Sequence, residues 1–314
     1  MSEFLEPFER MLEALSPPPV VRAIEAGESA ETLWNAIAES GFLDALVPED
    51  RGGAGLPLAE VGMLWQALGR HAVPLPVGET MIARALLASA PDGPIALAVA
   101  SARGEVVVPF GGTAEHVLLE KDGQLHLAAA EGAPTEVFGS TALRVSPTLR
   151  DAVAPAPDGG LRAIAAILRA ALIAGAAGRL TDMTAAYANE RVQFGKPIGK
   201  QQALQQQMAV MAEDMVACRI AAQLGCAGRL PPSLVAAATA KSVASTAAAR
   251  LAATAHAVHG AIGISEEYDL QLYTRRLHEW RMADGSETYW NRLLGAERLK
   301  DAGRSVDFVR ERLA

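Results

Sequence analysis

The feature that most constrains the fold is a series of long, alanine-rich segments in the second half of the chain. In one of them apolar residues recur at intervals of four and three, which places them on one face of a helix of about 25 residues. They are Leu204, Met208, Met211, Met215, Cys218 and Ala222. Segments 161–191 and 233–259 are equally long, and a shorter helix fits 286–301. Because small side chains let helices pack closely, residues 159–314 are predicted to form a four-helix bundle.

The remainder of the chain divides into a helical part and a strand-forming part. Residues 1–74 predict helices near 4–15, 31–40 and 58–69, with Pro17-Pro18-Pro19 ending the first. Residues 75–158 contain short runs, partly β-branched, that predict a small antiparallel sheet or barrel, with Asp122-Gly123 as a hairpin turn. The runs are Ile95–Ala100, Glu105–Pro109, His116–Glu120, Gln124–Ala128, Thr135–Phe138 and Ala142–Val145. The predicted fold is mostly α with a small β domain, divided at 1–74, 75–158 and 159–314.

Composition narrows the classes of partner. The 314 residues carry a net charge of −8, with a pI near 5.4. Dedicated nucleic-acid binding is therefore not expected, although a local basic pocket could hold an anion. No apolar run approaches the ~20 residues of a membrane span, and the acidic start lacks the pattern of a signal peptide. Cys218 and Cys226 match no zinc or redox spacing, which favours a reducing, cytoplasmic compartment. From these observations together we expect a cytoplasmic protein that binds neither membrane nor nucleic acid.

Several familiar catalytic motifs are absent from the sequence. It contains no Gly-x-Ser-x-Gly turn, no Gly-x-Gly-x-x-Gly fingerprint and no Walker loop. The predicted bundle has no Glu-x-x-His pairs for a di-iron centre. His256 and His259 share a helical face, but nothing nearby supplies a convincing third ligand, so no metal site is expected.

The first candidate cluster lies between two long predicted helices, at residues 187–198. It contains a cation, an aromatic ring and an amide, on Arg191, Phe194 and Gln193. Such groups can hold a pyrophosphate and stack on a base. An ordinary helix connection, broken by Pro197, explains the same residues, and the residues alone leave both interpretations open.

Two further clusters each have a structural alternative. Gly260 and Gly263 follow a predicted helix and would let the backbone approach a ligand, but Gly260 equally fits the end of that helix. Asp284 is followed by glycine and hydroxyl residues just before the last predicted helix. It could serve as a general base or as the N-cap of that helix, and the cap is the more ordinary role.

Taken in this order, the clusters resemble the acyl-CoA dehydrogenase family. The run Arg191-Val192-Gln193-Phe194-Gly195 resembles its Arg-x-x-Phe-Gly signature, and residues 48–56 resemble its Pro-Glu-x-x-Gly-Gly-x-Gly loop. The family's base is a glutamate in a Glu-Gly-Thr motif, nine residues beyond an arginine. Nine residues beyond Arg275 is Asp284, followed by Gly285-Ser286. The resemblance spans about residues 30–300 and is specific in the bundle but weak in the middle.

The resemblance implies a helical N-terminal domain, a β domain and a C-terminal four-helix bundle that use FAD on an acyl-CoA thioester. In this family the base removes the α-proton while the β-hydrogen leaves as hydride to the flavin. Asp284 would then be the base, and Gly285 would lie beside the substrate. The implied FAD-binding residues, some of them facing the cofactor of a neighbouring subunit, are Arg191, Gln193, Phe194, Gln202, Gly260, Gly263, Ser286, Glu287 and Thr288.

Departures from the family pattern are equally informative. Asp284 is one methylene shorter than the family's glutamate, and Ala257 stands where many members have a glutamine. Residues 75–158 are too few for the family's β domain and contain nothing like its Thr-Glu-x-x-x-Gly-Ser-Asp flavin loop. Arg162 and Arg169 lie near the expected position of the arginine on the CoA side, but out of register.

Three functions fit this combination. The chain could be a dehydrogenase that forms α,β-unsaturated acyl-CoA with Asp284 as base, or a non-catalytic subunit that completes the FAD site of a full-length partner. A flavin-free or acyl-CoA-binding protein is the third. The resemblance implies an electron-transfer flavoprotein as acceptor and an assembly, either of identical chains or with a full-length subunit. The acyl chain is not specified by the sequence.

Overall fold

The computed structural model describes residues 3–100, 104–146, 149 and 151–313. Its helices are α1 (Leu5–Leu15), α2 (Pro18–Glu25), α3 (Glu31–Glu39), α4 (Leu58–Arg70), α5 (Val77–Leu86), α6 (Gly160–Glu190), α7 (Gln202–Gly225), α8 (Leu234–His259), α9 (Leu270–Met282), α10 (Glu287–Lys300) and α11 (Ser305–Leu313). Its strands are β1 (Ile95–Val99), β2 (Val106–Val108), β3 (His116–Lys121), β4 (Gln124–Ala129), β5 (Ala133–Pro134), β6 (Leu143–Val145), β7 (Ala154–Pro155), β8 (Val192–Gln193) and β9 (Lys196–Pro197). The prediction of a mostly helical fold with a small β region between two helical parts is confirmed.

Helices α6 and α8 form the centre of the C-terminal bundle. Both pack against α7 and α9 as well as against each other, and α10 packs on α8. Helix α6 is long and apolar enough to cross a membrane, so the expectation that no segment reaches that length is wrong. However, 83% of its most apolar window is buried inside the protein, which is the pattern of a core helix.

The β region consists of two small sheets. The first has the order β1-β3-β4-β7 and the second the order β2-β6-β5. Strands β3 and β4 form the predicted hairpin, whose turn residues Asp122 and Gly123 have φ values of 50° and 74°. The expectation of purely antiparallel pairing is wrong for β1 and β3, which run parallel because β2 intervenes between them in sequence. The strand expected at Thr135–Phe138 is also absent, since β5 ends at Pro134 and the chain then turns at Glu136 and Gly139, both at positive φ.

Several helices differ from the sequence-based expectation. The proline run ends α1 but also begins α2, because Pro18 occupies the first helical position, where a missing N–H costs nothing. Helix α5 lies within the segment expected to form strands; Val77–Ala83 are all buried, so no polar face marks it as a helix. Helix α9 was not predicted either, and it carries many of the polar contacts described below.

Helices α4 and α6 touch through glycines. A Cβ on Gly69 would lie 2.1 Å from the Leu172 carbonyl oxygen, and one on Gly175 would lie 1.8 Å from the Gln66 carbonyl oxygen. Side chains cannot fit at these distances, so the N-terminal helices are held against the bundle by direct backbone contact.

Replacing Gly175 with alanine is expected to destabilise the protein by at least about 1–3 kcal/mol, because α4 and α6 must separate. Gly295→Ala is the matched control, because nothing lies within 4 Å of its Cβ position in α10. A helical glycine in open space should gain about 1 kcal/mol on becoming alanine. Urea denaturation followed by circular dichroism measures both values, and equal stability of the two variants would contradict the close contact.

Candidate active site

A four-residue loop between α9 and α10 carries Asp284. Asp284 has φ 57° and Gly285 has φ 101°, both in the left-handed region. For a residue with a Cβ this conformation costs roughly 1–2 kcal/mol, so surrounding contacts must hold it. The Trp290 indole N–H donates to the Asp284 carbonyl oxygen at 3.1 Å. Ser286, not Asp284, occupies the N-cap position of α10, so the cap role considered for Asp284 is wrong.

The Asp284 carboxylate takes part in a buried ionic triad with Arg169 and Glu79. Arg169 on α6 donates from Nε to Asp284 Oδ2 at 3.0 Å and from Nη1 to Glu79 Oε1 on α5. The side chains are 0%, 1% and 8% exposed for Arg169, Glu79 and Asp284. The guanidinium also lies over the ring of Phe110, with 5.7 Å from Cζ to the ring centroid. Four separate segments of the chain therefore meet at one cation.

Burial and charge act against each other in this triad. Burial raises the pKa of Glu79, and the Arg169 charge opposes that rise. For Arg169 burial alone would lower the pKa, but the charges of Glu79 and Asp284 outweigh it and the pKa is raised. The guanidinium is therefore a fixed positive charge beside Asp284. Its Nη2 has no hydrogen-bond partner in the described part of the chain.

A second buried cation, Lys241 on α8, lies on the other side of the loop. Its Nζ donates to the carbonyl oxygens of Arg281 and Gly285 at 2.8 and 2.9 Å, and to Ser245 Oγ at 2.9 Å. Burial lowers the pKa of Lys241 to about 7, against the opposing attraction of the Asp284 charge. The Arg169 guanidinium thus contacts the Asp284 carboxylate of the loop, and the Lys241 side chain contacts the loop's backbone.

The loop forms one wall of a cavity of about 840 Å³ between the β region and the bundle, which we name the junction cavity. Asp284, Gly285 and Ser286 line it together with apolar side chains of β1 and β2, among them Val99 and Val106. Its polar lining includes Arg162 and His278. Burial lowers the pKa of His278, so this side chain is a neutral imidazole at pH 7. A carboxylate facing an apolar wall suits proton removal from a bound organic substrate.

The glycine and arginine motifs form a second cavity, of about 570 Å³, which we name the hairpin pocket. Arg191, Gln193 and Gly260 all line it, so three of the predicted cofactor residues meet there. Tyr187 also lines it and stacks on His259, with 4.4 Å between ring centroids. Burial lowers the pKa of His259, and its buried Nε2 has no hydrogen-bond partner among the described residues. Gly260 is also the C-cap of α8, as the helix-end interpretation predicts, and its contact with a ligand stays a prediction.

Other predicted residues lie outside the two cavities. Phe194, at the tip of the β8–β9 hairpin, is 93% exposed, and Gln202 is exposed at the start of α7, where Gln201 lines the hairpin pocket instead. Gly263 packs against the Cβ of His259. Glu287 pairs with Arg281, whose hydrogen bond lowers the pKa of that carboxyl, and Thr288 is exposed in the first turn of α10.

The two cavities lie at opposite ends of α8 and share no lining residue. Lys241 contacts Gly285 of the junction cavity, whereas His259 borders the hairpin pocket. These two positions are 18 residues apart on α8, which is about 27 Å at 1.5 Å per residue. The predicted FAD residues therefore form two separate groups rather than one continuous site.

Glu79, Arg169 and Lys241 were missed as site residues. Each is a charged side chain within an apolar or alanine-rich run. Glu79 lies in Val77–Leu86, Arg169 in Leu161–Ala177 and Lys241 in Leu234–Ala255. A charge at a position where the helix is otherwise buried predicts a buried partner. That signal was present in the sequence, although it does not name the partner.

Comparisons with known proteins agree on one family. Residues 2–91 match the acyl-CoA dehydrogenase N-terminal domain and residues 163–300 match the C-terminal domain. The acyl-CoA dehydrogenase IpdE2 of Mycobacterium tuberculosis is 37% identical over 83% of this chain and 85% of its own length. A chain of the ChsE4–ChsE5 complex from the same species is 23% identical, with a TM-score of 0.80 over 96% of this chain and 99% of its own. The steroid ACAD Tcur3481–Tcur3483 is 25% identical, with a TM-score of 0.78 over 95% of this chain and 98% of its own.

Replacing Arg169 with methionine is expected to destabilise the protein by about 3–5 kcal/mol, because two buried carboxylates lose their counter-charge. Adding Glu79→Gln should recover part of that loss, since one unpaired charge is removed. Arg70→Met is the control, because Arg70 pairs with Asp182 at 2.9 Å on the surface, with side chains 41% and 57% exposed. That pair should contribute less than about 1 kcal/mol. Equal losses for Arg169→Met and Arg70→Met in chemical denaturation would show that the triad does not support the fold.

Proposed function

The chain belongs to the acyl-CoA dehydrogenase family, and from that premise we propose that it takes part in the α,β-desaturation of an acyl-CoA thioester, with Asp284 as the base. The family consists of FAD-dependent flavoprotein oxidoreductases of lipid metabolism. In the proposed reaction Asp284 takes the α-proton, the α- and β-carbons form a double bond, and FAD supplies the acceptor for the β-hydride.

The observation that carries this proposal is that Asp284, whose carboxylate is oriented by Arg169, lines the junction cavity. Oδ2 is oriented by the Arg169 guanidinium, while Oδ1 makes no hydrogen bond within the described part of the chain. One oxygen is thus held and the other is available to a proton donor. The valines that line the same cavity suit an apolar acyl chain and would limit the access of water to a bound substrate.

The shorter side chain of Asp284 requires the substrate or the loop to close a gap of about 1–1.5 Å relative to a glutamate, and a misplacement of this size can cost about 100-fold in rate. The left-handed backbone at Asp284 and Gly285 sets the position of the Asp284 Cα, from which the side chain with the carboxylate extends. Because Arg169, Trp290 and Lys241 all hold this short loop, we infer that the substrate, rather than the loop, adapts to the shorter base.

The hairpin pocket fits the nucleotide end of FAD. Arg191 offers a cation for the pyrophosphate, Gln193 an amide, and Gly260 a backbone with no atom within 4 Å of its Cβ position. The unpartnered Nε2 of His259 adds a buried polar atom beside the pocket. FAD would therefore be held there by this chain.

We further propose that the complete site needs a second subunit. Lys241, which contacts the Asp284 loop, and His259, which lines the hairpin pocket, are about 27 Å apart along α8, so the two groups of predicted FAD residues would serve different ends of FAD or two different FAD molecules. Two structural neighbours carry two-component names, ChsE4–ChsE5 and Tcur3481–Tcur3483. The proposed partner is a full-length subunit of the same family or a second copy of this chain. An electron-transfer flavoprotein is the proposed acceptor and the cytoplasm the proposed location.

A second candidate function is a non-catalytic subunit that completes the FAD site of a full-length partner. Ala257, which lines the hairpin pocket, and the short β region without the family's flavin loop favour it. In that case the hairpin pocket would bind part of the partner's FAD, and Asp284 would be dispensable for turnover.

Asp284→Asn distinguishes the two candidates, because the amide still accepts a hydrogen bond from Arg169 but cannot take a proton. If Asp284 is the base, turnover by the reconstituted enzyme should fall about 10²–10⁴-fold. Asp182→Asn on the exposed part of α6 is the control and should keep full activity. Unchanged bleaching of the FAD absorbance by acyl-CoA in Asp284→Asn would favour the non-catalytic subunit.

Arg191→Met is expected to weaken FAD binding about 10–100-fold, the loss that follows when a charge-assisted hydrogen bond of about 1.5–3 kcal/mol is removed. Arg219→Met, at an exposed arginine of α7, is the matched control. FAD content after gel filtration measures the effect, with the chain purified alone and with a co-expressed full-length subunit. If Arg191→Met retained FAD as well as Arg219→Met does, the hairpin pocket would not be a cofactor site.

A further inference from the structure

Lys241 is an unusual residue for the centre of an alanine-rich helix. Its side chain is 0% exposed, between buried alanines at positions 240 and 244 of α8. An ammonium group loses its water on burial, and only a full set of acceptors offsets that loss. Lys241 has three N–H donors, and three oxygen atoms lie at 2.8–2.9 Å from Nζ. All of its hydrogen-bonding capacity is therefore used inside the protein.

Two of the three acceptors are backbone carbonyls that precede and follow Asp284 in the sequence. The Arg281 carbonyl lies at the C-terminal end of α9, and the Gly285 carbonyl follows Asp284 directly. Ser245 Oγ, the third acceptor, itself donates to the Arg281 carbonyl at 3.3 Å. The Lys241 side chain thus links the carbonyl before Asp284, at Arg281, with the carbonyl after it, at Gly285, and attaches both to α8.

We propose that Lys241 is a positioning residue for Asp284: its side chain joins the last turn of α9 to Gly285 and so holds the backbone on both sides of Asp284. This inference rests on the proposed function of Asp284. Arg169 orients the Asp284 carboxylate. Lys241 fixes the position of the Asp284 backbone by holding it in its left-handed turn. The two cations act on different parts of the same residue.

The charges around the loop support this division. The buried groups are Glu79 and Asp284, both acidic, and Arg169 and Lys241, both basic. Arg281 and Glu287, which flank the loop, pair with each other and add no net charge. The four buried charges balance when Lys241 is protonated, and replacing Lys241 with a neutral residue leaves the buried set with one excess negative charge near the Asp284 carboxylate.

The test replaces Lys241 with methionine, whose unbranched side chain is one atom shorter and has no hydrogen-bond donor. Ser242→Ala is the matched control, because Ser242 lies on the same helix and binds Asn291 of α10 at 2.6 Å without touching the loop. Ser245→Ala is the milder variant, because it removes one acceptor of Lys241 and the Ser245 bond to the Arg281 carbonyl but keeps Lys241 itself, so the loop is held less firmly to α8. Ser245→Ala takes the place of Lys241→Met in the test if Lys241→Met does not fold.

Loop position is read by fluorine NMR of protein labelled with 5-fluorotryptophan. The chain has four tryptophans, and the Trp290 indole binds the Asp284 carbonyl. In Lys241→Met the Trp290 resonance should shift or broaden while those of Trp34 and Trp65, on the N-terminal helices, stay in place. In Ser245→Ala the Trp290 resonance should shift less, and in Ser242→Ala it should not move. A Trp290 resonance unmoved in folded Lys241→Met, or in Ser245→Ala if only that variant folds, overturns the proposal.

Kinetics then separate positioning from structural support. In the reconstituted enzyme Lys241→Met should lower kcat about 100-fold and change KM less than about threefold, because a displaced base slows proton transfer without weakening binding. A displaced Trp290 with an unchanged kcat would also overturn the proposal. If wild-type protein shows no dehydrogenation with any partner, the proposed function fails, and the NMR measurement still decides whether Lys241 holds the loop.

Discussion

The fold around the candidate site depends on one buried cation, the Arg169 guanidinium. It joins α6 to Glu79 on α5, to Asp284 in the loop after α9, and to the Phe110 ring of the β region. Removing such a charge from water costs several kcal/mol, which only close carboxylates offset. Since those carboxylates come from distant parts of the sequence, the N-terminal helices, the β region and the bundle must assemble together before the charge is satisfied. The orientation of Asp284 is a consequence of that assembly.

Helix α8 separates the two kinds of chemistry that the chain offers. At one end Lys241 holds the Asp284 loop, which lines the junction cavity, and at the other Gly260 and Arg191 line the hairpin pocket. Because the helix keeps these places apart, the proposed base and the proposed nucleotide-binding pocket lie on different parts of the chain. Such a division favours an assembly in which each subunit contributes half of a site. It also explains how a subunit with a short β region could still support flavin chemistry.

Much of the fold follows from sequence periodicity, since α6, α7 and α8 are long and alanine-rich, and the turn at Asp122-Gly123 marks the β3–β4 hairpin. Helix α5 could not be predicted in this way, because a helix buried on all sides has no polar face. The motifs selected Arg191, Gln193 and Gly260, which the structure brings together in one pocket. They did not find Arg169 or Lys241, whose partners are backbone carbonyls and carboxylates brought close only by tertiary packing. A sequence marks such a residue as a buried charge but does not identify its contacts.

The central claim is that the Asp284 carboxylate of this chain removes the α-proton of an acyl-CoA. The most direct measurement is incorporation of deuterium at the α-carbon of a bound acyl-CoA in D₂O, followed by mass spectrometry, since it detects the base independently of the electron acceptor. The account predicts catalysed exchange in the reconstituted wild-type enzyme and exchange at the uncatalysed rate in Asp284→Asn. Equal catalysed rates in the two proteins would contradict it and would place the base on another residue or on the partner subunit.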